Sequence, residues 1–186
     1  MFPLKNVIEM LKESELKILD YLTASSDGKR FISQIARDIG ISKGEVSKAV
    51  KILKDSGLVQ SEQNGRNMVC FVDRRLPVFA RLRTAFNLLE IMPKVAVLQK
   101  YTDKIVLFGS CAQGTDTADS DIDLLVVTRD KVKAEKAARK IKLSRPVQWV
   151  IKTPQEYVVL NSKERVFAGE ISKGIILWEA YETAGV

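Results

Sequence analysis

Histidine is absent from this sequence, and cysteine occurs only twice, as Cys70 and Cys111. The first absence excludes Ser-His-Asp and Cys-His catalysis, most zinc chemistry and imidazole acid/base work; carboxylates, lysines, hydroxyls and bound metal remain. The two thiols lie far apart, in no metal-like or redox-like spacing, so a disulfide framework or zinc site is not expected and two buried free thiols are. Long apolar runs are missing too: none approaches the roughly 18 to 20 residues that span a bilayer. The start, MFPLKNVIEMLKES, has no basic leader followed by a continuous apolar stretch. The expectation is a cytoplasmic protein with no membrane partner.

What remains is the composition of an ordinary globular protein, 46% hydrophobic and 28% charged over 186 residues, enough for one medium domain or two small ones. Its net charge of +7 is unevenly spread. Residues 1 to 100 hold 17 Lys/Arg against 11 Asp/Glu, and residues 101 to 186 hold 13 against 12. A basic first half beside a nearly neutral second suggests that the first half meets a polyanion, although surplus lysine also serves solubility.

Leu4, Val7, Ile8 and Leu11 fall at helical spacing, and Leu16, Leu19 and Leu22 repeat the pattern, with Ser14 placed to cap the second helix. Ser25-Ser26-Asp27-Gly28 is a turn. A helix through SQIARDIG follows, with Ile35, Ala36 and Ile39 on one face and Gly40 as its stop. Ser42-Lys43-Gly44-Glu45 has the S-x-x-E form in which a hydroxyl and a carboxylate satisfy free N–H groups at a helix start. In the helix it opens, Val46, Ala49, Val50 and Leu53 make an inward stripe, leaving Lys43, Gly44, Ser47, Lys48, Lys51 and Lys54 outside. Lysines that reach phosphates beside short polar groups that approach base edges suit a major groove. A solvated lysine face is the plain alternative. Next comes a predicted hairpin, Leu58 to Gln63 against Met68 to Val72, turning at Asn64-Gly65 with Arg66 and Asn67 at the tip.

Over residues 14 to 73 this order resembles the winged helix-turn-helix regulators of bacteria and archaea. The resemblance implies that double-stranded DNA is a partner, that Lys43, Ser47, Lys48 and Lys51 face the groove, and that Arg66 touches the backbone or minor groove. Some winged helices bind protein instead. Residues 1 to 75 are read as this module and 76 to 100 as a helical linker. In the linker Phe79, Leu82, Phe86 and Leu89 form an apolar stripe, and Pro93 restarts the chain as a second helix through Val95 and Leu98. The stripe fits either packing within the chain or pairing of two copies, and a homodimer would match two-fold related DNA half-sites.

The segment KIVLFGSCAQGTDTADSDIDLLVV, Lys104 to Val127, carries the chemistry. Ile105 to Phe108 and Ile122 to Val127 read as buried strands, with Gly109-Ser110 turning into a short helix. Period two puts Asp121 and Asp123 on one face and Ile122 and Leu124 on the other. Two ionised carboxylates so close repel each other and call for a divalent cation, Mg2+ or Mn2+ by their hard oxygen chemistry. The Gly-Ser turn offers free N–H groups, the Ser110 hydroxyl and no Cβ at Gly109, a setting for phosphate oxygens.

Gly109-Ser110, Gly114 and Ser120-Asp121-Ile122-Asp123-Leu124 together resemble the signature of polymerase β-like nucleotidyltransferases, over about residues 101 to 179. The resemblance implies a mixed α/β fold for residues 101 to 186 and an α/β (α+β) protein overall. It also implies NTP as substrate or ligand, nucleotide contacts at Gly109, Ser110, Gly114 and Ser120, and metal binding and catalysis at Asp121 and Asp123. The family carries a third carboxylate on a later strand. Here that strand is read as Pro146 to Ile151, and the position falls on Gln148, whose amide can neither neutralise a metal nor take a proton near neutral pH. Glu156 is a candidate substitute beyond the Thr153-Pro154 turn. The run Lys131, Lys133, Lys136, Arg139, Lys140, Lys142 and Arg145 reads as a solvated helix surface or as a rim for phosphates, and Phe167 to Trp178 as a core-closing segment. Three functions stay open: a DNA-binding regulator that binds metal-NTP, an enzyme that transfers NMP to a protein, nucleic-acid or small-molecule hydroxyl, or an assembly scaffold in which the two domains neither bind DNA nor catalyse.

Overall fold

A computed structural model describes residues 11–180, without the side chains of residues 161–163. The helix expected around Leu4, Val7 and Ile8 lies outside the described residues. The chain divides into two units, Met1–Leu82 and Arg83–Val186.

In the first unit α1 (Glu13–Ala24), α2 (Ile32–Ile39) and α3 (Lys43–Asp55) pack together. Beside them lies a three-stranded antiparallel sheet of order β1-β3-β2, built from β1 (Lys29–Phe31), β2 (Gln60–Asn64) and β3 (Asn67–Phe71). Ile18, Leu19, Leu22, Ile35, Val46, Val50, Leu53 and Val59 are buried. Leu16, expected to face inward, is 39% exposed, because the buried stripe of α1 runs through Ile18 and Leu19 instead. The cap of α1 also differs. The helix starts one residue before Ser14, and the Lys12 N–H donates to Glu15 Oε2 at 3.0 Å, so an acid one turn in does the work expected of the serine. Gly40 ends α2 with φ 73°, as the sequence implies; of the expected S-x-x-E cap only the hydroxyl half forms, Ser42 accepting from the Glu45 N–H at 3.1 Å, while the Glu45 carboxylate does not cap the Ser42 N–H. β1 has no sequence signal: three residues hold too little pattern to mark a strand. In the hairpin Asn64 pairs with Asn67, so the turn residues are Gly65 and Arg66, one step later than expected. Gly65, with φ 59°, takes the first central position, where a two-residue turn needs a positive angle.

α4 (Pro77–Val95) crosses the division and continues as a 3-10 turn (Ala96–Tyr101). Pro93 does not restart the helix but lies inside it. So near the C-terminal end proline removes a single backbone bond, and the chain absorbs it by tightening after Val95. Of the predicted apolar stripe Phe79 is buried and Leu82 and Phe86 are half-buried, but Leu89 is 74% exposed, whereas Arg83, Thr84, Asn87 and Ile91 are buried.

The second unit is built on a mixed sheet of order β6-β5-β4-β7. Its strands are β4 (Lys104–Phe108), β5 (Ile122–Val127), β6 (Val147–Lys152) and β7 (Ile175–Glu179). β4 is antiparallel to β5 and β7, and β5 is parallel to β6. Between them run α5 (Gly109–Gln113), α6 (Lys131–Ala138), α7 (Pro154–Lys163) and α8 (Arg165–Ser172). Side chains alternate across the pleat. Ile105, Leu107, Ile122, Leu124 and Val126 pack with Ile91, Val95, Leu98, Ala134 and Ala138 on one face. Val106, Phe108, Leu125 and Val127 pack with Leu160 and Ile171 on the other. The closing role expected of Phe167 to Trp178 holds, with Phe167 edge-on to Phe108 at 5.5 Å between ring centres. Both cysteines are free and buried, and burial pushes each thiol up to about 11. No described helix is long and apolar enough to cross a membrane.

The polar stripe of α4 has a cause in this unit. Asp116 is fully buried and meets two arginines: Arg83 Nη2 lies 2.8 Å from Oδ2, and so does Arg145 Nη1. Asn87 Nδ2 donates to Oδ1 at 2.8 Å. Substituting Asp116→Ala takes away the carboxylate that both guanidiniums face. The expected loss is on the order of 3–5 kcal/mol, read from chemical denaturation of the full chain.

Candidate functional site

Strand pairing fixes the site. Phe108, last in β4, is opposite Asp123 in β5, so the residue after Phe108 must pass beside the Asp123 side chain. That residue is Gly109, with φ 67°, and a methyl group built on it would collide with Asp123 Oδ2. Glycine suits the left-handed angle, and any Cβ there would have to push the Asp123 carboxylate aside. Asp121 lies two residues back, just before β5 begins, on the same face by parity as Asp123, Leu125 and Val127. Asp121 is exposed and Asp123 half-buried. Burial, and then the charge of Asp121, push the Asp123 carboxyl above its ordinary value. Neither carboxylate accepts a hydrogen bond from a described residue. Two oxygen donors so placed are a fitting pair for a hard cation.

The neighbouring expected residues have local duties. Ser110 is half-buried at the start of α5. Gly114 ends α5 with φ 69° and is buried, and its N–H donates to the Ser110 carbonyl. The Ser120 hydroxyl accepts from the Thr117 N–H at 2.9 Å, closing the turn that leads to Asp121. Gln148 is exposed and in register with Asp123 on the adjacent parallel strand, the place that the resemblance implies for it. Among the described residues no third carboxylate completes a metal-binding group. Glu156 does not: it lies past the far end of β6, where it accepts from the Thr153 N–H at 2.7 Å and pairs with Lys131 at 2.7 Å. From Gln148 to Lys152 alone, a strand rise of about 3.3 Å per residue carries the chain about 13 Å away. Lys131 first, and the capping N–H with it, lower the Glu156 carboxyl to about 2.

Sequence reasoning misses the support behind the acidic pair. Arg145 reads as part of a surface run, yet its side chain is 7% exposed. Its Nη1 donates to the Thr117 carbonyl at 2.9 Å and its Nη2 to Asn87 Oδ1 at 2.9 Å, besides the pairing with Asp116. The Cys111 thiol meets the Asp121 carbonyl at 3.5 Å. The loop between α5 and β5 is thus tied to α4 by charge. Only the stray acid of GTDTADSD hints at this, and local pattern cannot name partners 29 and 33 residues away.

In the first unit Lys43, Ser47, Lys48 and Lys51 are all on the exposed side of α3, opposite buried Val46, Ala49, Val50 and Leu53. The three lysines form no ion pair with described residues. Ser47 donates to the Lys43 carbonyl at 2.8 Å, so its hydroxyl is partly engaged by its own helix. Arg66 is exposed at the hairpin tip.

Residues 93–183 match the family described as Polymerase beta, Nucleotidyltransferase, and residues 8–61 match Bacterial regulatory protein, arsR family. The two matches correspond to a helix-turn-helix unit followed by a nucleotidyltransferase domain. No curated protein matches the chain. The nucleotidyltransferase match spans the strands bearing Asp123 and Gln148, and the helix-turn-helix match includes all of α2 and α3.

Because the Asp123 carboxyl is raised in the fold, ionising it opposes folding. That group favours the fold below its unfolded pKa, and the benefit is lost as pH rises through the higher folded value. In metal-free buffer Asp123→Asn should therefore melt above the wild type at neutral pH, the gap closing as pH falls toward about 4. Gly109→Ala should cost at least about 1–2 kcal/mol for the left-handed angle alone. Thermal and urea unfolding of the two variants check both.

Proposed function

We propose that the protein is a DNA-binding regulator whose nucleotidyltransferase domain binds a metal-NTP complex. The observation that carries this reading is the approach of the Gly109 backbone to the Asp123 carboxylate, with Gln148 in register on the next strand. Asp121 and Asp123 would hold Mg2+ or Mn2+, and Gly109 and Ser110 would receive phosphate oxygens, with Gly114 and Ser120 shaping the loop around them. The cation supplies charge neutralisation on the phosphates when bound. The chain itself supplies a narrow turn that admits an oxygen close to backbone, and a carboxylate pair whose repulsion a cation relieves. At the position facing Asp123, an amide can orient a hydroxyl by hydrogen bonding but cannot accept its proton near neutral pH. Sensing with little turnover follows.

In the first unit Lys43, Ser47, Lys48 and Lys51 would enter the major groove of duplex DNA while Arg66 meets the backbone or minor groove. A second copy belongs to this reading, because duplex sites of such modules come as two-fold related halves. The setting is the cytoplasm. A mobility-shift titration over several salt concentrations tests the interface. Lys48→Ala with Lys51→Ala should weaken duplex binding for every sequence and lower the salt slope by about 0.9 for each phosphate that the variant no longer neutralises. Unchanged binding would remove α3 from the interface.

Retention of Gly109, Ser110, Asp121 and Asp123 favours a second reading, an active enzyme moving NMP from NTP to a protein, nucleic-acid or small-molecule hydroxyl. Incubation with α-labelled NTP and Mn2+ separates the two. The sensor reading predicts no label on the protein or on added DNA above the Asp121→Asn/Asp123→Asn background, and a gain of label on Gln148→Asp. Label transferred by the wild type and lost in the double variant establishes the enzyme.

A further inference from the structure

The second unit has a cavity that the acidic site does not use. It is about 670 Å3 and is lined by Lys94, Lys100, Lys133, Lys136, Lys140 and Lys142. Its apolar lining is Val97, Ala137 and Ile141. Ala137 and Ile141 pack on the sheet face formed by Ile122, Leu124 and Val126. Asp123 has the opposite parity and shares its face with Leu125 and Val127. The lysine cavity and the carboxylate pair therefore lie on opposite faces of one sheet.

Of the six lysines, Lys94 lies 3.6 Å from Glu90 and Lys133 2.9 Å from Asp130. Lys100, Lys136, Lys140 and Lys142 form no ion pair with a described residue, and no acid lines the cavity. Six lysines on one lining, with no acid among the lining residues, leave a positive excess that an anion would neutralise, so the cavity favours several negative charges close together. Ammonium groups on flexible stems suit phosphates as point charges and impose no planar fork on the ligand. The volume is that of a small-ligand site. A stacking platform for single strands is not provided: the lone aromatic ring is Tyr101, and the Lys100 amine sits over it, 4.8 Å from its centre.

We propose that this cavity binds a polyphosphate chain, free or as part of a nucleoside polyphosphate, without a divalent cation. The site is separate from the one under Proposed function and stands whether or not that reading holds. The phosphates lie among the lysine heads while the apolar lining supports their stems.

Isothermal titration of the full chain with inorganic tripolyphosphate in EDTA tests this. Saturable binding is expected in the wild type, in Asp121→Asn/Asp123→Asn and in Lys48→Ala/Lys51→Ala. Lys136→Gln/Lys140→Gln/Lys142→Gln should weaken it by about tenfold or more with an unchanged circular-dichroism spectrum. Two single variants, Lys136→Gln and Lys140→Gln, should show intermediate losses and serve if the triple variant is misfolded. ATP binding as tightly as tripolyphosphate identifies the phosphate chain as the whole ligand, and tighter binding identifies a nucleoside polyphosphate. No saturable binding, binding untouched by the cavity variants, or tighter binding of a single-stranded oligonucleotide of equal charge overturns the proposal.

Discussion

The second unit depends on one close approach, backbone against carboxylate, at the join of β4 and α5. Antiparallel pairing of Phe108 with Asp123 brings the next peptide alongside an acidic side chain, and glycine meets the left-handed angle there without displacing the Asp123 carboxylate. The same pairing sets which face Asp121 and Asp123 occupy and which face Ile122 and Leu124 fill. Register, turn and carboxylate pair are thus one constraint. A slip of a single residue would move every side chain of β5 to the other face and scatter the site.

Around that constraint the fold arranges two kinds of charge. The buried kind is Asp116 between Arg83 and Arg145, whose strong pairing ties α4 to the loop before β5. Such a cluster adds little net stability over an apolar one, but it defines a single arrangement, because every alternative buries a charge without its counterpart. The other kind is left unsatisfied by the described residues: Asp121 and Asp123 on one side of the sheet, four lysines on the other. Rigid support beneath and uncompensated charge above are what a ligand site requires.

Much of this is legible in the residues, for reasons that differ by element. The outer face of α3 is readable because Val46, Ala49, Val50 and Leu53 keep strict helical spacing, and β4 and β5 because they are short unbroken apolar runs between turn residues. The relation of Gln148 to Asp123 is legible only through the family resemblance, which puts a residue of the later strand beside the acidic pair, and the register of β5 with β6 agrees with it. The second half of α4 misleads, since Phe86 and Leu89 offer an apolar stripe while the buried face is Arg83, Thr84 and Asn87. Burial there is decided by Asp116, a partner distant in sequence, and periodicity carries no record of such pairing. Ser14 and Pro93 mislead for a smaller reason, the freedom of helix ends to shift by one residue or tighten by one turn.

The central claim is that Asp121, Asp123 and the Gly109 turn share one metal-nucleotide ligand. Electron paramagnetic resonance of Mn2+ titrated into the full chain, with and without ATP, addresses it directly. Bound Mn2+ should rise with the wild type, rise further and change its spectrum when ATP is added, and fall in Asp121→Asn/Asp123→Asn to the signal that Mn2+, or Mn2+ with ATP, gives without protein. A wild-type signal indistinguishable from that double variant, in the presence of ATP, would contradict the account.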